Sequence, residues 1–190
     1  MKHLIIFASG SGSNAENIDN YFKSNDHIKI DLIATNNPKA GVIERARRLN
    51  LPCLIFTKAD LQSGVLLKHQ AFKNADLIIL AGFLLKIPSP FIELFPKKII
   101  NIHPALLPKY GGKGMFGNLV HQTVIANNEK ESGISIHYVN EHYDQGALIF
   151  QKAFPLDADE TADTLAQKIH KLEYQYFPVV IENLLLDASK

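Results

Sequence analysis

The sequence predicts an α/β protein: a mostly parallel sheet flanked by helices, closing with an antiparallel strand pair and a long terminal helix. Three observations carry this. Short apolar runs bounded by turn residues, Leu4–Ala8 and Leu77–Ala81 above all, read as buried strands. Helical segments alternate with them, which implies right-handed βαβ units. Beyond Gly133 the pattern changes to two alternating strands, Gly133–Val139 and Ala147–Phe154.

Each element has its own signal. Leu4–Ala8 is followed by a glycine-serine turn and a helix over Asn14–Ser24, with Ser13 or Asn14 as cap. Ile30–Thr35 is a second strand, ended by Asn36-Asn37-Pro38. Val42–Asn50 is a helix with its charges on one face, and Pro52–Phe56 a third strand. Leu61–Lys73 reads as helix despite Gly64, and Leu77–Ala81 is the clearest strand of all. Phe91–Phe95 is a short helix and Ile99–Ile102 a fifth strand. Met115–Asn127 reads as a helix behind a glycine-rich loop. The stretch 140–146 is a long hairpin or crossover loop between the two later strands. Thr161–Leu186 is a terminal helix capped by Thr161 and bent at Pro178. With no repeat, low-complexity tract or linker, the expectation is one Rossmann-like domain over residues 1–190.

Composition excludes several classes. Lysine and arginine (20) nearly balance aspartate and glutamate (19), and the charges are interspersed, so neither a nucleic-acid nor a membrane surface is expected. No run approaches the roughly 20 apolar residues of a membrane span. Lys2 with Leu4-Ile5-Ile6-Phe7 is too short for a secretory signal and turns at once into Ser9-Gly10-Ser11-Gly12. The single cysteine, Cys53, precludes an internal disulfide, fits a reducing cytoplasm and reads as a buried packing residue. A chain of 190 residues should bury roughly 70% of its unfolded surface without a metal or disulfide.

Asn101-Ile102-His103-Pro104 is the strongest chemical feature. Residues two apart on a strand share a face, so an amide and an imidazole are presented together. Pro104 ends the strand there, at the sheet edge where open α/β sheets bind ligands. A lone strand histidine is more often structural, and a working imidazole needs an orienting partner. Asp144, in the loop before Gly146, is the best such partner, although alone it would read as a turn residue.

The loop from Ser9 to Asn14 lets the backbone approach a ligand and opens a helix whose amides face an anion. Gly10-x-Gly12-x-x-Ala15 loosely fits a dinucleotide fingerprint, yet the second strand ends in Thr35-Asn36-Asn37 with no carboxylate for a ribose, which favours a monophosphate. Gly112–Gly117 imitates the same fingerprint without a preceding strand; a flap over a site and a plain surface loop both remain open. His3, His27 and His69 read as solvated or element-end residues, while His121 and His137 stay ambiguous. His137 and Glu141-His142 match no zinc spacing, so no metal is expected.

Ser11-Gly12-Ser13-Asn14, Leu80-Ala81-Gly82-Phe83, the run from Asn101 to Tyr110, and Tyr143-Asp144-Gln145-Gly146 occur together and in order. In these the chain resembles, over essentially its whole length, the phosphoribosylglycinamide formyltransferases (GAR transformylases) of the folate-dependent formyltransferase family. The resemblance implies transfer of a formyl group from 10-formyltetrahydrofolate, a cosubstrate, to the glycinamide amine, with no tightly bound cofactor. It implies that Asn101 donates to the oxyanion, that His103 is a general acid, and that Asp144 holds His103 and raises its pKa. Gly12, Ser13 and Asn14 would hold the phosphate, and His170 and Glu173 the glycinamide substrate. Phe83, Leu84, Leu85, Lys86 and Ile87, with Asn101, Asn140 and Glu141, would line the folate pocket, and Ser135 and His137 would support the site.

Two departures stand out: Thr57–Gly64 holds Lys58 but no arginine, and Leu85 and Lys86 stand where some members carry an arginine for the folate. Small-molecule partners and a monomer or weak homodimer are expected. A formyltetrahydrofolate hydrolase would carry an extra N-terminal domain, and the enzyme acting on methionyl-tRNA an RNA-binding domain. A non-catalytic phosphoribosyl-binding module would leave Asn101, His103 and Asp144 without a reason to converge.

Overall fold

The computed structural model describes residues 1–187; the last three residues of the expected unit lie outside it. Its elements are β1 (Lys2–Phe7), α1 (Ser13–Phe22), β2 (Ile28–Thr35), α2 (Val42–Arg48), β3 (Cys53–Ile55), α3 (Lys58–Ser63) and α4 (Gln70–Asn74), then β4 (Leu77–Leu80), α5 (Ser89–Leu94), β5 (Ile99–His103), α6 (Asn118–Ala126), β6 (Glu131–Tyr138), β7 (Leu148–Pro155) and α7 (Ala162–Asp187). A single seven-stranded sheet runs in the order β3-β2-β1-β4-β5-β6-β7. The strands β1 to β5 are parallel, while β6 runs antiparallel to β5 and β7 antiparallel to β6. This is the expected α/β architecture.

Alternate residues of β1 point to opposite faces, so the sheet carries two cores. Leu4 and Ile6 pack with Ile18, Val124, Leu165, Ile169 and Phe177. Ile5 and Phe7 pack on the other face with Phe72, Phe83 and Phe91. Every residue of β4 is buried, as a strand covered on both faces must be.

Several local expectations change. Leu61–Lys73 is not one helix. Thr57 and Asp60 form a capping box that starts α3 earlier, at Lys58. Gly64, in the left-handed region at φ 72°, then stops α3, and a short 3₁₀ turn over Val65–Lys68 leads into α4. The helix expected from Met115 begins only at Asn118, because Gly117 (φ 58°, ψ −143°) lies outside helical space. Cys53 is half-buried rather than sealed, and burial pushes its thiol pKa up. The terminal helix is continuous through Pro178, and Thr161 does cap it, accepting the Thr164 amide at 3.2 Å.

Strand order reverses between β1 and β4, whose neighbours lie on opposite sides. At such a point the loops after the two strands diverge and leave a crevice outside their C-terminal ends. The loop after β1 begins with Ser9, whose hydroxyl donates to Asn36 at 2.6 Å and accepts the Leu84 amide at 3.0 Å. That one side chain ties together the exits of β1, β2 and β4.

Candidate active site

A cavity of about 570 Å³ opens at this crevice. Its walls include the 10–14 loop, 81–84 after β4, 101–104 at the end of β5, the 112–117 loop, His121, Tyr143, Asp144, His170 and Glu173. Asn101, His103, Asp144, Gly12, Ser13, Asn14, His170 and Glu173, all singled out in the sequence, therefore face one space.

At the loop end, Gly12 occupies the N-cap of α1 at φ 77° and no side chain caps the helix. The expected cap by Ser13 or Asn14 is absent because both lie inside the first turn. The amides of that turn stay unclaimed by side chains, which is the condition for binding an anion. A Cβ on Gly12 would come within 2.4 Å of Val42 Cγ2, so this position admits only glycine. Asn14 instead donates to Glu173 at 2.9 Å, and its Oδ1 is buried without a partner among the described residues. Burial raises the Glu173 carboxyl pKa, against the Asn14 bond and His170, which lower it.

At the strand end, β6 sets the pairing. Asn101 lies directly opposite His137 and His103 opposite Ser135. His137 Nδ1 donates to its neighbour's carbonyl, Tyr138 O, at 2.8 Å, which leaves Nε2 as an acceptor. Asn101 Nδ2 donates to that Nε2 at 3.1 Å and to Asp144 Oδ1 at 3.4 Å. Asp144 Oδ2 also accepts the Gly112 amide at 2.9 Å. Burial alone would raise the Asp144 carboxyl pKa; His137, His103 and the Gly112 amide outweigh it and hold the group below its ordinary value.

His103 departs from expectation. Its Nε2 donates to the Tyr110 carbonyl at 2.7 Å, and its Nδ1 stands 3.7 Å from Asp144 Oδ2, beyond hydrogen-bond reach. Asp144 is thus a charge partner rather than the hydrogen-bonding holder of the ring. Nor is the imidazole pKa raised. Burial pushes it down, and the pull of Asp144 and of the Tyr110 carbonyl does not restore it. Asn101 also differs: its amide nitrogen is already directed at His137 and Asp144.

A smaller recess adjoins the cavity, lined by Leu80, Phe83, Leu85, Lys86, Ile87, Asn101, His137, Val139, Asn140, His142, Tyr143 and Asp144. Phe83, Leu85, Lys86, Ile87, Asn101 and Asn140 come together in this recess, and Leu84 lines the main cavity. Glu141 is exposed and belongs to neither wall. Sequence reasoning missed the Tyr110 carbonyl and the Gly112 amide. Side-chain patterns carry no signal for backbone groups. It also left His121 undecided, and this residue is 4% exposed on the cavity wall. No group of three His, Cys, Asp or Glu side chains among the described residues is arranged so that it could hold a metal ion.

Comparison with known proteins places this arrangement. The formyl transferase family model matches residues 2–181. A phosphoribosylglycinamide formyltransferase of Bacillus subtilis is 37% identical over 97% of this chain and 95% of its own length. A chloroplastic one from Vigna unguiculata is 38% identical over 96% of this chain. The chain spans 61% of that plant relative and 64% of an Arabidopsis thaliana one. Glycinamide ribonucleotide transformylase 1 of Geobacillus kaustophilus superposes with a TM-score of 0.87 at 34% identity, covering 97% of this chain and 99% of the other. The corresponding Bacillus halodurans structure gives 0.87 at 30% identity, covering 98% and 97%. The likeness runs from β1 into α7 and so takes in every wall of the cavity: the chain belongs to the formyl transferase family.

Proposed function

We propose that this chain transfers the formyl group of 10-formyltetrahydrofolate to the glycinamide amine of 5′-phosphoribosylglycinamide, a step of de novo purine synthesis. The observation that carries the reading is one cavity with Asn101, His103 and Asp144 at one end and an uncapped helix N-terminus at the other. The first suits acyl transfer and the second a phosphate. The names of the relatives supply the same substrate.

In this reading the ribonucleotide phosphate sits on the amides of Gly12, Ser13 and Asn14, and Glu173 and His170 contact the arm that bears the amine. The pterin enters the recess at Leu85, Ile87 and Asn140. The amine attacks the formyl carbon and the carbonyl oxygen becomes an oxyanion. One Asn101 N–H is anchored on His137; the other, loosely shared with Asp144 at 3.4 Å, is the one free to turn to the oxyanion. His103 rests neutral with its proton on Nε2, so Nδ1 can take the proton that the amine loses. The imidazolium so formed lies beside the Asp144 carboxylate and gives the proton to folate N10 as the C–N bond breaks. Tetrahydrofolate and the formylated ribonucleotide result. The folate is a cosubstrate, and each chain carries the full set of residues, so a monomer or a weak homodimer suffices. Small molecules are the partners. No helix among the described residues is long and apolar enough to cross a membrane, and the lone Cys53 suits the cytoplasm.

The test is formylation of glycinamide ribonucleotide by purified protein. His103→Ala and Asp144→Asn should each lower kcat by about 10²–10⁴-fold, with the ribonucleotide KM little changed. An equal loss of nucleotide binding removes the catalytic assignment. Formate release without transfer reassigns the chain to folate hydrolysis.

A further inference from the structure

Tyr110 serves the site through its backbone while its side chain is engaged elsewhere. Its carbonyl accepts the Nε2 proton of His103 at 2.7 Å, which leaves Nδ1 as the open ring nitrogen. Two residues on, the Gly112 amide donates to Asp144 Oδ2 at 2.9 Å. The stretch 110–112 thus holds both His103 and Asp144 by backbone groups. Yet Tyr110 stands at φ 57°, in left-handed space that a bulky residue leaves unless its surroundings hold it there. Its own side chain supplies the hold. The ring packs on the core that contains Val124 and Ile134. The phenol donates to Glu129 Oε1 at 2.7 Å. Glu129 lies between α6 and β6, and Lys109 Nζ donates to the same oxygen at 2.8 Å.

We propose that Glu129 is a positioning residue for the reaction: by holding the Tyr110 phenol it fixes the Tyr110 carbonyl, and through that carbonyl the tautomer of His103. This rests on the function proposed above.

The anchor is permanent at neutral pH. Burial, with the Glu129 bond, pushes the Tyr110 phenol pKa up to about 12, so the phenol stays a donor. The bonds from Lys109 and Tyr110 hold the Glu129 carboxyl below its ordinary value, so it stays an acceptor. Without the anchor Tyr110 is free to relax to negative φ, and that rotation turns its carbonyl away from His103. Nε2 then loses its acceptor. The Asp144 carboxylate, 3.7 Å from Nδ1, draws the proton to that nitrogen instead. A proton on Nδ1 blocks the one position that receives a proton from the amine.

The experiment compares the full-length wild type with Glu129→Ala, Glu129→Gln, Tyr110→Phe and the Tyr110→Phe/Glu129→Ala double variant. Glu129→Ala and Tyr110→Phe should each lower kcat by about 10–100-fold, the factor by which a hydrogen bond to a charged group favours one arrangement. Both KM values should change little. Glu129→Gln, whose carbonyl can accept the phenol, should keep most of the wild-type kcat. The double variant should lose no more than either single one, because all three break the same bond. Lys109→Met, which removes only an exposed ammonium, should match wild type. ¹⁵N NMR of wild type at alkaline pH should show His103 protonated on Nε2 and bare on Nδ1. In Glu129→Ala and Tyr110→Phe the Nδ1 signal should move toward the protonated position. Variants that lose Tm but keep the wild-type kcat and His103 signals overturn the proposal and leave a structural contact. Additive losses in the double variant, or a wild-type ring protonated on Nδ1, also overturn it. The NMR comparison needs no turnover. A wild type that fails to formylate therefore removes the assigned reaction, while the His103 signals still decide whether Glu129 sets the tautomer.

Discussion

Replacing Gly146 by alanine probes the loop that carries Asp144. An added Cβ would lie 1.6 Å from the Tyr138 carbonyl oxygen, 2.7 Å from its carbon and 3.4 Å from His137 Nδ1. The obstacle is backbone, so no rotamer change relieves it. Against a closest tolerable contact of 3.0 Å, the loop or β6 must move by about 1.4 Å. Overpacking of this kind costs about 1–3 kcal/mol, which for a protein of this size lowers Tm by roughly 2–12 °C. The displaced groups are also the working ones. Tyr138 O fixes the His137 ring, His137 anchors Asn101, and Asp144 is two residues from the substitution. A misplacement of about 1 Å can cost about 10²-fold in rate, so kcat should fall by about that factor with both KM values less affected. Thermal melts and steady-state kinetics read the two effects. Gly10→Ala is the stability control: nothing lies within 4 Å of its Cβ, and its Tm should match wild type. A Gly146→Ala enzyme with wild-type Tm and kcat within threefold would refute the reasoning.

Two further outcomes follow from buried polar groups. Ser135 Oγ accepts the Leu107 amide at 2.9 Å and donates to the Ala105 carbonyl at 2.6 Å; Ser135→Ala strands both, and chemical denaturation should show a loss of about 2–4 kcal/mol. Glu173 is a pH case. Its folded pKa lies above the unfolded one because of burial, so the folded state keeps a proton that the unfolded chain releases above about pH 4.3. Its stability contribution is intact below that pH and is lost as pH rises through the folded pKa. Glu173→Gln cannot ionise, so melts should show it gaining Tm over wild type at pH 8 and no gain at pH 4. An equal offset at both pH values rejects the assignment.

The parts of the fold legible in the sequence were those set by local pattern. Four apolar residues of β4 between turn residues can only be a strand covered on both faces, and Pro104 marks the end of β5. The pairing of Asn101 with His103 on one face followed from strand period alone. What stayed hidden depended on distant partners. The 3.7 Å gap between His103 and Asp144 is set by the Tyr110 carbonyl, which engages the other ring nitrogen. The direction of the His103 pKa turned on burial by the whole cavity wall, a quantity no motif carries. Thr57 and Asp60 were readable as a capping box and were overlooked because Leu61 began the apolar pattern. Asn14 looked like a cap because nothing in its neighbourhood announced Glu173, 159 residues away.

That last bond belongs to a larger seam. Asn17 donates to the Tyr174 carbonyl at 3.0 Å and Tyr21 to Glu182 at 2.7 Å, so α1 is fastened to α7 along its length. The apolar face of α1 rests on the sheet, and α7 buttresses the 10–14 wall of the cavity from 159 residues away. Local opening of α7 should therefore loosen that wall, so that the amides of α1 and α7 exchange with solvent as one cooperative unit.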